Sequence, residues 1–91
     1  MDIYIENEKG ISLQEWLDYV NRDNELDLSE SGEGINPITK EKLRIQIPGR
    51  VLFGDSENNW KNGRIGSDDY SEELVAKLKE IAKAFDAEFF E

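Results

Sequence analysis

Residues 71–85 read Ser71-Glu72-Glu73-Leu74-Val75-Ala76-Lys77-Leu78-Lys79-Glu80-Ile81-Ala82-Lys83-Ala84-Phe85, and they decide the fold class. Leu74, Val75, Leu78, Ile81, Ala82 and Phe85 recur at helical spacing and form a wide apolar stripe. The helix opens at Ser71, or at Asp69 with Glu72 three residues on as a capping-box partner. A helix striped on one side needs an apolar surface to cover that stripe, so the rest of the chain must supply one.

Working upstream, Asn62-Gly63 sits between Trp60-Lys61 and Arg64-Ile65, a two-residue hairpin signal that places Trp60 opposite Ile65. Asp55 to Asn59 is a polar stretch before it. Leu43, Ile45 and Ile47 alternate with Lys42, Arg44 and Gln46, which predicts a strand with a buried apolar face and a basic outer face. Ile47-Pro48-Gly49-Arg50 has the Pro and Gly that a type II turn favours, so Val51-Leu52-Phe53 is expected to return beside that strand. Downstream of the helix, Ala87 to Phe90 reads as a closing strand with Phe89 as its buried ring.

A second helix is written near the start. Ser12-Leu13-Gln14-Glu15 fits a capping box, and Ile11 can staple onto Trp16. Leu13, Trp16, Leu17 and Val20 share one face, leaving Glu15, Asp18 and Arg22 to water until the helix ends near residues 21–23. Ile3 and Ile5 alternate with polar neighbours as an opening strand, and Asn24, Leu26 and Leu28 do so as a weaker one. Ser29 to Pro37 reads as a loop. The expectation for residues 1–91 is a single α+β domain in the order β-α-β-β-β-(β)-α-β. Its antiparallel or mixed sheet has five or six short strands, and both helices pack on one face.

Composition narrows the function. The chain has no His and no Cys, which removes histidine- and thiol-dependent catalysis and leaves carboxylate pairs as the remaining catalytic chemistry. Asp23, Glu25 and Asp27 alternate as in a calcium loop, but Leu28 stands where the turning Gly belongs and Gly34 where the closing Glu belongs. Gly32-Glu33-Gly34 has no third glycine, and its glutamate would repel a phosphate. No catalytic residue, cofactor or metal ligand is expected. No basic leader and no apolar run of about 7–15 residues opens the chain, so a cytoplasmic location without membrane association is expected.

The net charge is −10, and it is segregated. Residues 1–34 hold ten acids and two bases, 35–67 three acids and six bases, and 68–91 eight acids and three bases. Basic residues at 42, 44, 50, 61 and 64, near Trp60 and Phe53, resemble a base-stacking sheet, but the overall field opposes phosphate and nucleic acid is not an expected ligand. The expected partner is a basic protein. The candidate contact surface is Glu15, Asp18, Tyr19, Asp23, Glu25, Asp27, Glu30 and Glu33, with Tyr19 as an aromatic anchor among acids.

Ile11 to Leu17, Asn36-Pro37-Ile38-Thr39, Asn62-Gly63-Arg64-Ile65 and Ser71 to Phe85 together resemble a group of short acidic bacterial proteins without an assigned activity. That group is similar in size and charge to immunity proteins encoded beside secreted toxins. The resemblance implies a non-catalytic inhibitor of a basic toxin such as a nuclease; the alternative is a nucleic-acid mimic or regulator acting on a DNA-binding protein. It transfers no functional residue.

Overall fold

Every strand pairing in the protein is antiparallel, and the computed structural model describes all residues, 1–91. The elements are β1 (Ile3–Glu6), α1 (Leu13–Arg22), β2 (Asp27–Leu28), β3 (Ser31–Ile35), β4 (Lys42–Gln46), β5 (Val51–Phe53), β6 (Ser56–Lys61), β7 (Arg64–Ser67), α2 (Glu72–Ala84) and β8 (Glu88–Phe90). Six strands form one sheet in the order β2-β5-β6-β7-β1-β8, and β3 with β4 forms a separate ribbon. The fold is α+β. No helix is long and apolar enough to cross a membrane.

One core holds the two layers together. Ile3, Ile5, Val51 and Ile65 from the sheet meet Trp16 and Val20 of α1 and Leu74, Leu78 and Ile81 of α2, with Ile11 and Leu26 closing the ends. The indole N–H of Trp16 donates to the Gly49 carbonyl at 2.8 Å and that of Trp60 to the Ile11 carbonyl at 2.7 Å, so the buried Trp16 and the half-buried Trp60 each pack with the polar atom satisfied.

The local signals hold. Ser12 caps α1 in a reciprocal box with Glu15, and Ser71 rather than Asp69 caps α2 by accepting from the Leu74 amide. Asn62 and Gly63 both have positive φ, and Trp60 pairs with Ile65 as the hairpin signal requires. Gly49 takes a φ of +79°, with the Arg50 amide donating to the Ile47 carbonyl, which is the turn expected there.

Five expectations are corrected. Ser31–Ile35 is a strand, because each of its residues pairs with β4 from Ser31–Gln46 to Ile35–Lys42; its two glycines give no local sign of this. Leu43 and Ile45 do share a face, but both are exposed, since alternation marks a common face without saying what covers it. Val51–Phe53 pairs with β6 and β2 instead of β4, because the turn at Pro48-Gly49 is tied to Trp16 and leads the chain from the ribbon into the core. Residues 56–59, read as part of a polar stretch, extend the Trp60-Lys61 side of the hairpin into the six-residue strand β6. Leu17 is only half-buried, while Tyr19 packs against the core.

Candidate functional site

The eight acidic and aromatic residues singled out in the sequence are split by the fold among four places. Glu15 is engaged in the cap of α1, and Asp18 accepts from the Gln14 amide on the outer surface of that helix. Asp27 is exposed on β2, an edge strand of the sheet. Glu30 accepts from the Gly49 amide at 3.0 Å and fixes the base of the ribbon, while Glu33 lies on the ribbon opposite Arg44.

Tyr19, Asp23 and Glu25 come together around a residue the sequence reading did not single out. Lys77, in the middle of α2, is 5% exposed, and its Nζ lies 2.8 Å from Asp23, 2.7 Å from Glu25 and 2.7 Å from Glu80. Its place was legible in principle, because position 77 falls three residues after Leu74 and four before Ile81, inside the apolar stripe. Burial alone would lower the Lys77 ammonium and raise the Asp23 carboxyl. The hydrogen bonds between the two groups, with Glu25 and Glu80 adding to the lysine's side, outweigh burial and move both the other way. The carboxylates line an open depression of about 740 Å³ with Tyr19, Arg22, Asn24 and Ala84. All three converge on one ammonium, which leaves the cluster with an excess of negative charge.

Tyr19 is not a free anchor. Its ring stacks on Trp16 at 6.2 Å and tilts against Phe85 at 5.4 Å, and burial together with the Asp23 carboxylate pushes its phenol above the ordinary value. The exposed aromatic among acids is Tyr70, 67% exposed in the turn between β7 and α2, with Asp68 and Asp69 before it and Glu72 and Glu73 after. That turn is fixed: the Asp69 carboxylate accepts from the Glu57 amide at 2.9 Å, and the Asp69 amide donates to the Ser67 hydroxyl at 3.0 Å.

The ribbon is the other distinctive surface. Of seven exposed large apolar side chains in the protein, Ile35, Ile38, Leu43 and Ile45 belong to the ribbon and its tip. Asn36 organises that tip by accepting from the amides of Ile38 and Thr39, while its carbonyl takes the Lys40 amide at 2.8 Å. Ile38 is thereby held at the apex, 89% exposed. No family model, curated protein or solved structure matches the chain.

Proposed function

We propose that this protein is a non-catalytic binding protein that neutralises a basic partner by electrostatic occlusion, in the way an immunity protein masks a bacterial toxin such as a nuclease. One observation carries the reading: only Glu6, Asp23, Glu25, Glu57, Asp68 and Glu80 of the 21 acidic side chains lie within ion-pairing distance of a cation. The negative charge is therefore largely unspent inside the fold. A field of this size raises the encounter rate with a cationic groove and makes that rate depend on salt. The exposed acids of α1 and of β2, Asp18 and Asp27, are the rim contacts of this reading; Asp23 and Glu25, held by Lys77, line the open depression beside Tyr19.

The test is co-purification of the chain with the product of the neighbouring gene, followed by a protection assay and stopped-flow association at two ionic strengths. Protection, with fast association that slows as salt rises and slows again in Asp18→Lys/Asp27→Lys, supports the reading. Binding without protection of a toxin, but with release of DNA from a DNA-binding protein, favours the mimic instead. No binding to any basic partner removes both.

A further inference from the structure

We infer that the β3–β4 ribbon is a docking arm for a second copy of this chain, joining two molecules into a reciprocal dimer. This does not depend on the basic-partner reading, because the arm carries no net charge of its own.

Residues 30–47 contain Glu30, Glu33 and Glu41 against Lys40, Lys42 and Arg44, so the arm is neutral and the whole net charge of −10 lies on the body. Lys40, Lys42 and Arg44 have no ion-pair partner within the molecule. On the same face as Lys42 and Arg44 stands exposed Ile35, paired with Lys42, with Ile38 at the apex; Leu43 and Ile45 lie on the other face, and β3 and β4 pack chiefly on each other. An apolar arm with unpaired cations calls for a surface that is apolar and acidic. The chain itself carries one, the fixed turn of Tyr70 between Asp68, Asp69, Glu72 and Glu73.

The position of that turn makes the contact reciprocal. Asp69 is bonded to Glu57, Glu57 lies 3.4 Å from Arg50 Nε, and the Arg50 guanidinium rests over Gly32 at the base of the arm. The acidic turn of each molecule thus sits near the root of its own arm, out of reach of its own tip. Two arms running antiparallel bring each tip to the other's root, which closes the pair with a two-fold axis. The same arrangement puts the acidic bodies at opposite ends of the pair. The strands of the arm are 5 residues long, roughly 17 Å at about 3.3 Å per residue, so the bodies at its two ends are separated by more than the roughly 8–10 Å over which charges act at physiological salt.

Sedimentation equilibrium tests this with a charge exchange. The wild-type chain should dimerise as its concentration rises. Lys42→Glu/Arg44→Glu and Glu72→Lys/Glu73→Lys should each be monomeric alone, and an equimolar mixture of the two should dimerise again, because each reversed arm meets a reversed turn. Tyr70→Ala should weaken the wild-type dimer without touching the acidic first turn of α2, and circular dichroism checks that every variant is folded. A wild-type chain that stays monomeric up to millimolar concentration overturns the inference. So does a dimer that survives either reversal, or a mixture that fails to restore it.

Discussion

Lys77 Nζ lies 2.8 Å from Asp23 Oδ2, so the middle of α2 is tied to the residue that ends α1. Lys77 is almost fully buried, Asp23 largely so, while Glu25 and Glu80 keep much of their contact with water. The pair therefore carries most of the desolvation. Lys77→Met should cost about 2 kcal/mol, because it leaves Asp23 buried without its cation, whereas the two exposed glutamates rehydrate.

The pH dependence follows from the two shifts. Asp23 is depressed in the folded state, so its contribution is present above its ordinary value of 3.8 and is lost as the pH falls below it toward the folded value. Lys77 is raised, so its contribution is full below its ordinary value of 10.5 and declines as the pH climbs above that. Urea titrations across the pH range should show a plateau between these limits. Asp23→Asn should lower the plateau and reduce the slope of the acid limb; an unchanged acid limb would place the pair outside the stability of the fold.

Gly49 and Gly54 offer a paired test of backbone and space. Both have positive φ, but a Cβ at Gly49 would stand 2.7 Å from Trp60 Cβ and 2.9 Å from Leu13 Cδ1, while one at Gly54 meets nothing within 4 Å. Gly54→Ala should cost about 1 kcal/mol from the left-handed conformation alone. Gly49→Ala adds clashes with Trp60 and Leu13 and should cost about 2–4 kcal/mol. Equal midpoints for the two in urea would contradict the packing at Gly49.

Asp86 ends α2 in a position that suits glycine. Its φ is +51°, the Ala87 amide donates to the Ala82 carbonyl at 2.8 Å, and the Asp86 amide reaches Lys83. A carboxylate here also faces the negative end of the helix dipole. Asp86→Gly should raise stability by about 0.5–1 kcal/mol, read as a higher melting temperature.

Core and ribbon should respond in opposite ways to loss of an apolar side chain. Leu78→Ala removes a fully buried side chain and should cost about 2–5 kcal/mol. Leu43→Thr and Ile45→Thr act on exposed positions and should leave the monomer within about 0.5 kcal/mol of wild type. A large loss at Ile45 would mean that the ribbon is part of the core.

The two helices, their serine caps, the Asn62-Gly63 hairpin and the turn at Gly49 were legible in the sequence. Each is decided by residues within about four positions of one another, through periodicity, capping or a positive φ. The α+β class followed, because the stripes on α1 and α2 need a half-buried sheet to cover them. What the sequence left open depends on residues far apart in the chain. Ser31–Ile35 is a strand only through its ladder to β4, and Leu43 and Ile45 face water because the chain turns away from them at Gly49. The candidate acidic surface was dispersed for the same reason: Asp23 and Glu25 turn toward Lys77, more than 50 residues later in the chain, and Tyr19 closes on Phe85. Composition set the sign and size of the charge. Only the packing of α1 against α2, and the departure of the ribbon from the sheet, decided which charges are bound within the fold and which remain free to meet another molecule, since a Coulomb interaction depends on separation in space and on burial, not on order along the chain.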